Sequence, residues 1–143
     1  MLSEQEQIRR DSLQKIIDYG INPYPAAEFK LTHYSTDISE NFKDGEDVIL
    51  AGRLMRRKIQ GKASFGTIQD SKGKIQVYFN RDVLCASEDK SMYNDVFKKW
   101  LDLGDILGVE GKVFKTMVGE ISINVEKFHL LSKSLKPLPQ PKT

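Results

Sequence analysis

The stretch GKASFGTIQDSKGKIQVYF, residues 61–79, holds side chains whose types and spacing suit recognition of an unpaired base. Two runs of alternating character flank a short polar turn, the pattern of a β-hairpin. If Ile75, Val77 and Phe79 enter a core, Gln76 and Tyr78 point away from it. In the partner run Ile68 then points inward, and Phe65 is left on the polar side with Thr67 and Gln69. An exposed flat ring can stack on any unpaired base, worth roughly 1 to 3 kcal/mol, without choosing among them. Choice needs contacts to a base edge. The glutamine amide offers a donor and an acceptor side by side, matching O4 and N3–H of uracil. Phe65 is therefore a candidate platform and Gln76 a candidate reader, with Tyr78 and Thr67 beside them. From Ala51 to Phe65 the basic residues Arg53, Arg56, Arg57, Lys58 and Lys62 occur with no acid among them. Of these, Arg56, Arg57, Lys58 and Lys62 lie near the first strand connection and are placed to neutralise phosphates. A plainer reading makes Phe65 and Tyr78 a cross-strand aromatic pair, but it leaves the basic run unexplained.

Glu120 opens the last strand candidate and has two readings. A carboxylate there repels phosphates, so against RNA it accepts from a base N–H or a ribose hydroxyl; otherwise it is a strand-end charge paired with Lys115. No catalytic constellation accompanies these residues: the chain contains no GxxxxGK[ST] loop, no HExxH pair and no GxSxG elbow. His33 and His129 stand far apart without a ligand spacing, so no metal site is expected. Cys85 is the single cysteine, which excludes an internal disulfide and fits a reducing compartment. The N-terminus is too charged for a signal peptide and no apolar run approaches a membrane span, so the expected location is cytoplasmic.

The elements that must carry these side chains follow from the pattern of the whole chain. At 143 residues, 39% hydrophobic and 29% charged, the composition is that of one globular unit. The net charge of +2 is too small by itself to announce a nucleic-acid partner. Ser3 and Glu6 have capping-box spacing and Gly20 supplies a stop, predicting a helix over residues 4–19. Leu13, Ile16 and Ile17 give only its second half an apolar stripe, so the helix is expected to dock at one end and leave Arg9 and Arg10 free. After GINPYPAAEF, whose Pro23 and Pro25 enforce an extended path, strand candidates begin. VILAGRLMRRKI, KASFGTIQD and KIQVYFN form three, and DILGVEGKVFK and EISINVEKFHLL form two more with a turn at Thr116 to Gly119. Between the two groups Tyr93, Val96, Phe97, Trp100 and Leu101 recur at helical spacing up to Gly104, an aromatic stripe assigned to packing at a barrel end.

Three strands, a helix and two strands is the order of the OB-fold. The expected fold class is thus an all-β core with helices: a five-stranded Greek-key barrel, preceded by an N-terminal helix, with a helix between strands 3 and 4. Glycines 52, 66, 108 and 111 permit the coiling of a small barrel. Residues 1–46 form the helix and lead-in, 47–132 the barrel, and 133–143 a Pro-rich linker.

The wording AGRLMRRKIQGKASFGTIQDSKGKIQVYF, then FKKWLDLGDILGVEGKVFKTMVGEISINVEKFHLLSKSLKPLP, with GINPYP and Thr32-His33 upstream, closely resembles the N-terminal anticodon-binding domain of bacterial class II lysyl-tRNA synthetases. The resemblance implies recognition of a lysine tRNA anticodon of UUU or CUU type, with the central uridine dominant. Phe65 matches the family's stacking phenylalanine, Gln76 its uridine-reading glutamine, Glu120 its acid near another anticodon base, and Tyr78 an aromatic on strand 3. Lys58 departs from an arginine common in the relatives, whereas Arg57 matches one. The family's full enzyme, a homodimer, attaches lysine using ATP and magnesium in a C-terminal domain whose three signature motifs are not in this sequence. This chain is therefore expected to bind tRNA without activating lysine, with no catalytic residue and no cofactor of its own. Two other readings stay open: a sequence-tolerant single-strand-binding module using the same aromatics and basic loop, and a protein-interaction or dimerisation domain.

Overall fold

Alternation of apolar and polar side chains along five strands builds a barrel with one wall facing inward and one facing water. A computed structural model describes residues 3–21, 28–85 and 88–134. Its strands are β1 (Asp47–Gln60), β2 (Ala63–Gln69), β3 (Lys74–Asn80), β4 (Ile106–Lys115) and β5 (Ile121–Ser132). Neighbours are antiparallel except β3 and β5, which run parallel, and the order β1-β2-β3-β5-β4 closes on itself. The OB-fold expectation is met. Inside lie Leu50, Leu54, Ile68, Val77, Phe79, Leu107, Val109, Ile123 and Val125, all without exposed surface. Strand β1 is long enough to pair with both β2 and β4, and its register shifts between Leu54 and Arg56, where it bends from one partner to the other. Close approach rather than left-handed backbone explains the glycines of β4. A side-chain carbon at Gly111 would sit 2.2 Å from the carbonyl oxygen of Asn124, and one at Gly108 would strike the Phe29 ring.

The helix between β3 and β4 seals one end. Two short helices, α2 (Ser35–Glu40) and α3 (Arg81–Leu84), were not foreseen, and the plug is α4 (Met92–Trp100). Phe97 of α4 packs against Phe79 at 4.2 Å and Phe128 at 6.0 Å, and the Tyr93 hydroxyl shares a buried hydrogen bond of 2.7 Å with Ser64. As expected, the aromatic stripe is core. The helix stops at Trp100 rather than running to Gly104, because Leu101 turns to extended backbone; the helix is widely wound, and the Leu101 amide donates to the Val96 carbonyl, five residues back, at 3.0 Å. Gly104, at φ 99°, instead turns the chain into β4.

The N-terminal helix, α1, spans Glu4–Tyr19, with Ser3 Oγ accepting from the Glu6 amide and Gly20 closing the other end in left-handed geometry. Its docking differs from expectation. Arg9, expected at a free end, is 7% exposed, and its Nη1 donates to the carbonyls of Leu103 at 3.0 Å and Ser134 at 3.3 Å. Ile8 and Ile17 are exposed instead. An apolar stripe misses this contact because the barrel rim presents carbonyl oxygens, which a guanidinium satisfies and an aliphatic side chain does not. α2 is held by Asp70, which follows β2 and accepts from the amide and hydroxyl of Ser35, both at 2.7 Å, and from the amides of Lys72 and Gly73 at 2.9 Å. Burial alone would raise the Asp70 pKa, but these hydrogen bonds together outweigh it and hold the carboxyl below its ordinary value. The prolines of GINPYP and the Pro-rich stretch after Ser134 lie outside the described residues. Among the described residues no helix is long and apolar enough to cross a membrane.

Candidate nucleic-acid interface

Strand register decides which outward side chains become neighbours. One transverse row on the outer wall reads Arg56, Thr67, Gln76, Ser122, Phe114, and the next reads Lys58, Phe65, Tyr78, Asn124, Lys112. Phe65 and Gln76 therefore occupy adjacent rows on adjacent strands, as alternation required. Phe65 and Tyr78 are directly paired with ring centroids 4.9 Å apart, and Tyr78 meets Phe114 edge-on at 6.1 Å. The cross-strand aromatic pair is real, but it does not consume the rings: Phe65 borders a cavity on each side.

The first cavity, about 510 Å³, is lined by Phe65, Thr67 and Gln76, by Arg56, Arg57 and Lys58, and by Met55 and Leu103. It joins an aromatic wall, an amide able to read a base edge, and a basic rim. The second, about 530 Å³, lies between Phe65, Tyr78 and Phe114 and the turn Lys115–Val118. At that turn Met117 and Val118 are 105% and 92% exposed, an apolar tip standing over an aromatic floor. Phe114, Met117, Val118, Met55 and Leu103 were missed from sequence. Phe114 was within reach, since Val113 points inward and its neighbour must point out; Leu103 was not, because it arrives from the loop after α4.

The basic run does not act as a block. Arg56 and Lys58 share the outer wall, and among the described residues neither joins an ion pair. Arg57, between them, takes the opposite side of the alternation. Its Nη1 donates to the carbonyls of Leu101 at 2.6 Å and Phe97 at 2.9 Å, closing the C-terminal end of α4. Burial lowers the pKa of this guanidinium, with Asp102 and Asp105 opposing that effect. Arg57, expected to meet a phosphate, borders the cavity and commits its Nη1 to two backbone carbonyls. Lys62 stands in the β1–β2 turn, 3.8 Å from Asp82, away from the cavity. Glu120 is exposed and not paired with Lys115, whose Nζ lies 4.7 Å from the centre of the Phe42 ring. Its amide and carbonyl close the β4–β5 turn with Thr116. Among the described residues no group of three or more His, Cys, Asp or Glu side chains is placed to hold a metal ion.

Residues 48–131 match the model of the tRNA anticodon family, described as the OB-fold nucleic acid binding domain. The chain belongs to this family. Relatives of the domain include the "Lysine--tRNA ligase" of Christiangramia forsetii, 64% identical over 142 residues, and that of Porphyromonas gingivalis, 50% identical over 143. A third, from Aeromonas hydrophila, is 45% identical over 148 residues. These alignments cover 99%, 96% and 97% of this chain but only 25%, 25% and 28% of the relatives. The chain thus spans about a quarter of their length. The matched span contains every residue that lines the two cavities, and α1 and α2 precede it.

Proposed function

We propose that this domain reads the anticodon of a lysine-accepting tRNA, taking the central uridine into the cavity between Phe65 and Gln76. The observation that carries the reading is the meeting, in one cavity of the anticodon-type OB-fold, of a stacking ring, a glutamine amide and the basic side chains of Arg56 and Lys58. Phe65 supplies affinity by stacking. Gln76 distinguishes uridine from cytidine, because cytidine replaces the O4 acceptor and N3–H donor with a donor and an acceptor in reversed order. Arg56 and Lys58 neutralise the flanking phosphates. At position 58 lysine acts as a point charge, without the bidentate geometry of arginine. A second base lies over Phe114 and Tyr78 with Met117 and Val118 against it, and Glu120, at the mouth of the same turn, accepts from a base N–H. The lysine assignment rests on the resemblance to the ligases named above. In a protein of their full length the domain would serve a cytoplasmic, homodimeric lysine ligase whose ATP and magnesium chemistry lies outside these 143 residues.

The deciding experiment is a titration of the domain with lysine anticodon stem-loops whose central uridine is intact or changed to cytidine, at several salt concentrations. Tighter binding of the uridine loop, weakening with salt, is the expected result. Equal affinities would make the domain a sequence-tolerant single-strand binder. Absence of salt-dependent binding to either loop would favour a protein-interaction role.

A further inference from the structure

Between α4 and β4 the segment Leu101–Asp105 is held from every side. Its Leu101 carbonyl accepts from Arg57 and its Leu103 carbonyl from Arg9, at 2.6 and 3.0 Å. The Gly104 amide donates to the Leu54 carbonyl at 2.7 Å, and the Asp105 carbonyl accepts from the Leu54 amide at 2.9 Å, bolting the segment to β1 just before Met55 and Arg56. The carboxylates of Asp102 and Asp105 receive Lys133 Nζ at 2.6 and 2.8 Å. Asp105 also accepts from the Ser134 amide at 2.8 Å, while the Ser134 carbonyl accepts from Arg9 at 3.3 Å. Asp105 has no exposed surface and the Lys133 side chain is 2% exposed. Burial pushes the Asp105 carboxyl up, with Lys133 and the amides of Asp102 and Ser134 working against it.

One segment therefore does two things. Leu103 lines the base cavity, while Asp102 and Asp105 on either side of it hold Lys133, and Asp105 also holds Ser134, the last described residue before the Pro-rich stretch. We propose that Leu101–Asp105 couples filling of the base cavity to the set of the chain at Ser134, with Arg57 and Arg9 as positioning residues for that segment. A base seated on Phe65 presses the cavity's opposite wall, Leu103. The segment then has little freedom to yield locally, because moving it strands a buried carboxylate or a buried ammonium. It responds as a unit, and the response is delivered where Lys133 and Ser134 leave the barrel. Coupling of this kind is reciprocal: loosening the grip on Ser134 must weaken binding in the cavity by the same factor. The proposal rests on the anticodon reading above, since it needs a base as occupant.

The test is amide hydrogen exchange of the 143-residue protein followed by NMR at Ser134, with and without the lysine anticodon stem-loop. Saturation with the uridine loop is expected to slow Ser134 exchange by about fivefold or more, the lower end of ordinary coupling. Arg9→Met, which removes the donor shared by the Leu103 and Ser134 carbonyls and alters no side chain that lines the cavity, is expected to speed Ser134 exchange in the free domain and to raise the Kd for the uridine loop by about fivefold or more. Leu103→Ala, which cuts back the cavity wall and leaves the buried ion network in place, is expected to weaken uridine-loop binding and, at saturating RNA, to leave Ser134 exchange unchanged. Ser134 exchange that stays the same when the uridine loop is bound overturns the coupling and leaves the anticodon reading standing. An Arg9→Met protein that binds as tightly as the parent, or a Leu103→Ala protein that still transmits protection, overturns it equally. If neither loop binds, the anticodon reading fails and the coupling falls with it.

Discussion

Truncating Phe65 to alanine separates a binding surface from a packing residue. The ring sits on the outer wall, half-buried, with its centroid 4.9 Å from that of Tyr78. Losing such a pair costs about 0.5 to 1.5 kcal/mol of stability, whereas truncating a core ring such as Phe97 costs about 3 to 5 kcal/mol. For a domain of this size the smaller loss lowers the Tm by about 2 to 6 °C. The binding loss is set by a different quantity. A stacking platform contributes roughly 1 to 3 kcal/mol per base, which is about 5- to 150-fold in Kd. Because stacking does not distinguish bases, the loss applies to uridine and cytidine loops alike, and Phe65→Trp retains most of the affinity. Fluorescence anisotropy with labelled stem-loops measures the first effect and thermal melting the second. A Phe65→Ala domain whose Tm falls by more than about 10 °C, outside the range expected from a surface pair, while its RNA affinity changes less than twofold would refute the assignment: the ring would be structural and the platform elsewhere.

Gln76→Ala is expected to leave cytidine-loop binding nearly unchanged and to narrow the uridine preference by about 1 kcal/mol, or roughly fivefold, as one lost edge contact requires; paired titrations check it. Replacing Arg56 and Lys58 together by glutamine is expected to reduce the slope of log K against log salt by about 1.4, from about 0.7 per phosphate contact on a single strand. Lys62→Gln, at a residue already facing Asp82, is expected to change that slope much less. Asp70→Asn tests the hairpin anchor through pH. Because the folded-state pKa of Asp70 is depressed, its stabilisation is present above the unfolded value of about 3.9 and is lost as pH falls through the lower folded value. The variant is therefore expected to melt below the parent at pH 7, by about 1 to 2 kcal/mol of lost charged hydrogen bonding, with the gap narrowing as pH falls below the unfolded value. A constant gap across that range would show that the carboxylate charge is not what holds Ser35.

Much of this was legible along the chain because β-structure writes its inside and outside into alternate residues. Ile75, Val77 and Phe79 declared a core face, so Gln76 and Tyr78 had to share the other, and Phe65 with them. Parity also separates Arg57, lying between Arg56 and Lys58, from the side that those two share. Phe114 had to lie opposite Val113. Other features have no local trace. The parallel pairing of β3 with β5, which brings Ser122 beside Gln76, joins strands more than 40 residues apart, and no short-range pattern encodes which distant edge closes a barrel. Leu103 enters the cavity from a loop, and Arg9 docks a polar helix face on carbonyl groups that become available only when the barrel rim exists. What the amino-acid sequence determined by itself is the sidedness of each strand, since that depends on one residue and its neighbour. Which sides meet, and which charges are taken up by backbone rather than left for a phosphate, was decided by closure of the barrel, where hydrogen bonds between remote segments compete for the same donors.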